Sequence, residues 1–267
     1  MSGNTWLRDY FKKLSDNISN NEISSESSLS ATVEFPLAGW SKGKSLLLAL
    51  GYEKTNVLQQ FAVKGIGTAK PRVDFVIGEK SNYWMLELKK PNDFCDRAKH
   101  VEQLQSYMIQ ENVALGVIFN GRQAFAYVNP EHNSVANICK NISEEEINLI
   151  PDLDLKKKPI KKSSINSGDT KEIIKFFRLF KNEEKLPDVQ MLAFNLADQY
   201  IKKLRQEAKF AIRQDSIKNA FYEILNNPND QLLEAIIQAS NSLSTLKTKN
   251  NELLNIWPVR PFIKKNN

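Results

Sequence analysis

Two apolar segments flanking a five-residue turn cluster constrain this chain most. Arg72-Val73-Asp74-Phe75-Val76-Ile77 and Tyr83-Trp84-Met85-Leu86-Glu87-Leu88-Lys89 are rich in β-branched, aromatic and apolar residues, and Gly78-Glu79-Lys80-Ser81-Asn82 between them carries turn chemistry. The pattern predicts a β-hairpin. With the turn centred between Lys80 and Ser81, Asp74 lies opposite Glu87, their Cβ atoms roughly 5 Å apart on one face. Two carboxylates so placed repel unless a cation sits between them. Because side chains alternate along a strand, Glu87 and Lys89 share that face while Leu86 and Leu88 point the other way into a core.

A helix is expected next. After Pro91 and the capping candidates Asn92 and Asp93, apolar residues recur at Ala98, Val101, Leu104, Met108 and Ile109 across Asp96 to Glu111. On the adjoining face His100, Gln103 and Tyr107 line up at helical spacing. Packed across the sheet, such a helix aims Gln103 and Tyr107 at the carboxylates; a solvated polar stripe is the plainer alternative. Phosphodiester hydrolysis needs charge neutralisation at phosphoryl oxygens and an acidified water, both within reach of Mg²⁺ held by carboxylates. A lysine beside them orients or activates that water, or stabilises the developing charge. Glu-x-Lys alone says little in a chain that is 25% charged, where an exposed strand can carry it idly.

Asp74, Glu87-Leu88-Lys89 and Gln103-Leu104-Gln105-Ser106-Tyr107 together resemble the Asp/Glu-x-Lys plus Gln-x-x-x-Tyr pattern of RecB-type nucleases in the PD-(D/E)xK superfamily. Leu50-Gly51-Tyr52, Pro71-Arg72-Val73-Asp74, Glu87-Leu88-Lys89-Lys90-Pro91 and Val117-Ile118-Phe119-Asn120-Gly121 through Phe125-Ala126-Tyr127 are similar to the N-terminal nuclease domain of type I restriction motor subunits (HsdR). The resemblance covers roughly Thr32 to Val128. It implies an α/β, restriction-endonuclease-like mixed central sheet flanked by helices, here followed by an α-helical C-terminal unit. It also implies Mg²⁺-dependent DNA hydrolysis, with Mn²⁺ able to substitute. Asp74 and Glu87 would bind metal, Lys89 would be catalytic, and Gln103 and Tyr107 would complete the site or contact DNA. The acidic residue that such families place on the first helix is Glu34 or Glu53, and Glu34 is preferred. Two departures stand out: the usual Pro-Asp pair is spread over Pro71-Arg72-Val73-Asp74, and 267 residues leave no room for a helicase motor. The expectation is a free-standing nuclease or a subunit that borrows a motor.

A net charge of +6 favours a polyanionic partner such as DNA. Two cysteines, Cys95 and Cys139, and two histidines, His100 and His132, leave no zinc cluster or disulfide framework. No apolar run is long enough to span a bilayer and no signal-peptide core is evident, so a cytoplasmic protein without a membrane partner is expected.

Four parts are expected. Residues 1–30 hold a short helix, with Trp6, Leu7, Tyr10, Phe11 and Leu14 on one face, and a Ser/Asn-rich mobile link from Asp16 to Ser30. Residues 31–145 carry the nuclease-like domain, with a strand at Thr32 to Leu37, a buried strand at Val113 to Phe119 and Asn120-Gly121 turning into Gln123 to Val128. Residues 146–168, with Lys156, Lys157, Lys158, Lys161 and Lys162, read as a basic linker or nucleic-acid tether. Residues 169–267 read as helices over Lys171–Asn182, Pro187–Asn226 and Gln231–Leu246, a unit suited to homo-oligomerisation or to binding a motor or other protein. Its lysines and arginines form no recognition-helix pattern.

The loop Ala38-Gly39-Trp40-Ser41-Lys42-Gly43-Lys44-Ser45 carries two competing motifs. As a phosphate cradle it ends in Gly-Lys-Ser before a helix, but its first glycine position is Ala38 and no downstream strand ends in the Asp that would assist Mg²⁺. As a nucleophile elbow, Gly39-Trp40-Ser41-Lys42-Gly43 arrives too early for the strands that normally precede it, with His132 the only later histidine besides His100. The plainer reading is a basic helix start whose Lys42 and Lys44, with Lys90 beyond the Glu-x-Lys strand, grip DNA phosphates. A non-cleaving DNA-binding or complex-forming module of the same fold is the main rival.

Overall fold

A computed structural model describes residues 3–34, 45–63, 71–79, 81–166, 168–182, 186–226 and 238. Among these the sheet has six strands in sequential order: β1 (Val57–Ala62), β2 (Arg72–Glu79), β3 (Asn82–Leu88), β4 (Leu115–Phe119), β5 (Gln123–Val128) and β6 (Lys161–Ser164). All neighbours are antiparallel except β3 and β4. A parallel pair needs a crossover, and helix α4 (Ala98–Gln110) supplies it. The sheet is therefore mixed, as expected.

Strand alternation divides the core. Trp84, Leu86 and Leu88 of β3 join a large cluster with Phe75, Val117 and Phe119, while Met85 joins Val76, Ile118 and Tyr127 on the opposite face beneath Val101, Leu104 and Met108 of α4. The larger cluster is covered by α1 (Gly3–Ser19), α2 (Glu26–Val33), α3 (Leu46–Ala49), α7 (Lys171–Arg178) and the start of α8 (Val189–Asn226); α5 (Asn133–Lys140) and α6 (Glu144–Leu149) follow β5 in the chain. In α1 the expected face is buried through Leu7, Tyr10, Phe11 and Leu14.

Four expectations need correcting. The Ser/Asn-rich stretch from Asp16 to Ser30 is not a mobile link: α1 continues to Ser19, and Ser25 with Ser28 forms a capping box that starts α2. Ile18, Ile23 and Leu29 anchor it in the core. Thr32 and Val33 close α2 instead of opening a strand, because Leu29 and Val33 are an i,i+4 pair buried together; residues 35–37 of that expected strand lie outside the described residues. The basic segment 146–168 is not a linker. Leu153, Leu155 and Ile160 are buried, and Lys161–Ser164 forms the edge strand β6, a place where lysines are tolerated because one side of the strand meets solvent.

The helical unit expected from residue 169 does not begin there. Ile173, Phe176 and Phe177 of α7 are buried, with the Phe177 ring 5.2 Å from Phe119 and 5.3 Å from Phe11. Beyond α7, the Tyr52 hydroxyl donates to the Phe180 carbonyl at 2.7 Å and accepts from Trp84 Nε1 at 3.1 Å. Helical periodicity identifies an apolar face without saying which surface it covers. One compact unit runs from Met1 to Gln206 and a second from Glu207 to Asn267. In the second, the described residues are helical over 207–226, with Phe210, Ile217 and Tyr222 exposed. Apart from Gln238, the helix expected over Gln231–Leu246 lies outside the described residues.

Among the described residues no helix is long and apolar enough to cross a membrane.

Gly116 of β4 sets how closely α4 approaches. A Cβ there would stand 2.6 Å from Met108 Sδ and 3.0 Å from Leu104 Cδ1. Gly116→Val should lower stability by about 1–3 kcal/mol through overpacking, read as a lower urea midpoint; an unchanged midpoint would show that α4 is not so closely seated.

Candidate active site

The hairpin delivers its carboxylates as the turn chemistry implied. Phe75 pairs with Leu86 and Glu79 with Asn82, so the next step of the same register sets Asp74 across from Glu87. The Leu88 N–H donates to Asp74 Oδ2 at 2.8 Å, and Gln60 Nε2 donates to Oδ1 at 2.8 Å. Gln60 comes from edge strand β1 and holds a left-handed φ of +48°, a conformation costing of order 1–3 kcal/mol outside glycine.

Glu87 is only 3% exposed. Its Oε1 accepts from Lys89 Nζ at 2.7 Å, and its Oε2 is buried without a hydrogen-bond partner. Lys89, 6% exposed, also donates to Gln103 Oε1 at 3.3 Å, and Gln103 Nε2 donates to the Tyr107 hydroxyl at 2.7 Å. The structure thus links Glu87, Lys89, Gln103 and Tyr107 in one chain of contacts, with Asp74 opposite Glu87. Gln103 and Tyr107 are a helical i,i+4 pair on α4, the face that periodicity assigned to them.

Burial, against the pull of Lys89 and with the push of Asp74, drives the Glu87 carboxyl up to about 7. Burial acts against charge on Lys89 too, but Glu87, with Glu26 and Asp74 behind it, outweighs that and holds the ammonium above the usual lysine range. Lys89 is therefore a cation at neutral pH, and Glu87 is poised between acid and carboxylate.

Two contributors went unnoticed in the sequence. Glu26, in the first turn of α2, places Oε1 3.8 Å from Lys89 Nζ; its only signal was a Ser-Glu start ahead of Leu29 and Val33. Gln60 had no local signal, because its role comes from the pairing of β1 with β2. Glu34 lies just past the other end of α2, about 12 Å along the axis from Glu26, and accepts from the Ser30 hydroxyl at 2.6 Å. Glu53 is exposed at the start of the 3₁₀ turn Lys54–Asn56. Lys90 is exposed immediately beyond Lys89. Lys42, Lys44 and Ser41 lie outside the described residues.

The competing motifs find little support. Ser45 is fully buried, caps α3 and donates to the Val33 carbonyl at 3.0 Å, so its hydroxyl is committed away from a phosphate or Mg²⁺. His132 is buried as the N-cap of α5, its Nδ1 accepting from the Ser134 N–H at 3.1 Å. His100 Nε2 is engaged 2.8 Å from Asp93 Oδ2.

Among the described residues no three His, Cys, Asp or Glu side chains form a ready-made metal cluster. Magnesium does not require one: it keeps several waters and commonly takes one or two carboxylates plus substrate phosphates. The Glu87 carboxyl, its Oε2 unpartnered and Asp74 opposite it in the strand register, fits that demand.

No curated protein and no solved structure matches the chain. Residues 43–142, which carry Asp74, Glu87, Lys89, Gln103 and Tyr107, match the family model of the type I restriction enzyme R protein N terminus (HSDR_N), so this segment is similar to that restriction-enzyme region.

Proposed function

We propose that this protein is a Mg²⁺-dependent nuclease of the PD-(D/E)xK type that hydrolyses DNA phosphodiester bonds. The observation that carries the reading is the buried Glu87 carboxylate, one oxygen on Lys89 and the other without a partner, set across from Asp74. A buried carboxyl oxygen without a donor is costly, and a cation between the two acids relieves both that cost and their repulsion. Bound Mg²⁺ supplies positive charge at the phosphoryl oxygens and acidifies water.

The chain's own groups do the rest. Asp74, fixed by the Leu88 N–H and Gln60, and Glu87 bind the metal. Lys89 remains an ammonium at neutral pH, which favours stabilising charge or orienting water over abstracting a proton. Gln103, braced by Tyr107, fixes the direction of the Lys89 head group. Glu26 is a better-placed helix carboxylate for this site than Glu34, since it already lies beside Lys89. Lys90 continues the positive charge outward and suits a flanking phosphate. DNA is the proposed partner, and a motor or other subunit remains a proposed partner for the helical C-terminal residues.

Linear and circular DNA incubated with Mg²⁺, Mn²⁺ or EDTA should be cut only with metal. Lys89→Ala should slow cutting by about 10²–10³-fold, the scale of losing one preorganised transition-state group, with folding checked by circular dichroism. Wild-type protein that is folded but inactive on every substrate would favour a non-cleaving binding module.

Cleavage should also depend on pH through Glu87. Its proton competes with the metal, so the carboxylate fraction falls about tenfold per pH unit below its shifted value. Rates at limiting Mg²⁺ should therefore rise up to about pH 7 and then level. A profile flat from pH 5.5 to 7.5 at limiting metal would contradict this assignment.

A further inference from the structure

Between β3 and α4 the chain exposes Phe94, with 59% of its surface in solvent and no place in either core cluster. Isolated exposed apolar side chains are common, but this one is held by its neighbours. Asn120 Nδ2 donates to the Asp93 carbonyl at 2.6 Å, the Tyr127 hydroxyl donates to the Cys95 carbonyl at 3.3 Å, and Cys95 is fully buried. An aromatic ring thus stands on a clamped backbone five residues beyond Lys89.

The same loop leads toward a cation at the sheet edge. Cys95 Sγ donates to the Gln123 carbonyl of β5 at 3.5 Å, and β5 pairs Phe125 with Lys162 of β6. Strand register places Asp74, Glu87, Ile118, Phe125 and Lys162 in one row across one face. Three strand spacings put Lys162 about 14 Å from Glu87. Its ammonium lies 5.4 Å from the Phe125 ring centroid, on that same face, whereas Lys161 falls on the other by alternation.

The geometry points to a track for single-stranded DNA leading away from the site, with an unpaired base stacked on Phe94 and flanking phosphates on Lys90 and Lys162. This inference rests on the nuclease reading and names the form of its substrate. Cations that follow a backbone and an aromatic that takes a base face are what single-strand binding requires. In a duplex, base faces are hidden by stacking, so Phe94 has nothing to stack on there.

The test is binding of a fluorescein-labelled oligothymidylate, and of its duplex with oligoadenylate, by fluorescence anisotropy in EDTA over a range of salt. Wild type should prefer the single strand. Phe94→Ala should weaken single-strand binding about tenfold and leave duplex binding unchanged, with Phe94→Tyr restoring it. Lys162→Ala should reduce the salt dependence by about 0.7, and Lys161→Ala should not. An absent single-strand preference, an equal loss on both substrates, unchanged binding in Phe94→Ala, or equal effects of the two lysines would overturn the track. Metal-dependent cutting of duplex without any single-strand preference would overturn the track alone; single-strand binding without cutting would overturn the nuclease reading alone.

Discussion

Everything near the site depends on keeping one carboxylate out of water. Glu87 lies on β3, between β2 and β4, so strands on both sides and α4 above exclude solvent from it. Removing a carboxylate from water disfavours its charge unless a partner compensates. Lys89 compensates one oxygen and leaves the other, and the carboxyl is driven up to about 7 as a result. Without a cation this arrangement weakens the fold as pH rises between the ordinary glutamate value and that shifted one, because the folded state then holds the proton more tightly than the unfolded chain. Under the proposed function, a site that is costly without a cation is organised in advance for one.

The fold provides the surroundings in a definite order. Alternation along β3 sends Trp84, Leu86 and Leu88 into the large core, which fixes the strand, and leaves Met85 and Glu87 beneath α4. The crossover from β3 to β4 makes α4 follow Lys89 directly, and Gly116 lets that helix settle close to the sheet. Gln103, braced by Tyr107, then reaches Lys89 from above while Glu26 reaches it from α2. The lysine is held by groups from three elements, which limits the directions its remaining proton can take.

Local patterns in the sequence were enough for the centre of this arrangement. Apolar, aromatic and β-branched runs about a Gly-to-Asn turn pointed to the β2–β3 hairpin and its register, helical periodicity to α4, and Asn120-Gly121 to the β4–β5 connection. The periphery was less legible because its signals are tertiary. Polar residues from Asp16 to Ser30 suggest a link, yet Ile18, Ile23 and Leu29 suffice to pin them, and so Glu26 was passed over in favour of Glu34. Strand β6 is lysine-rich because it is an edge, and its composition resembles that of a linker. Gln60 shows no motif at all; only the β1–β2 pairing brings it to Asp74.

If Glu87 and Asp74 hold a metal ion as proposed, the ion must displace the proton from Glu87. Calorimetric titration of Mn²⁺ at pH 6, repeated in buffers of different ionisation enthalpy, measures that proton directly. Wild type should release about one proton per metal bound, as expected for a carboxyl shifted to about 7, and Glu87→Gln should lose that release. Metal binding without proton release, or the same release from Glu87→Gln, would contradict the proposed site.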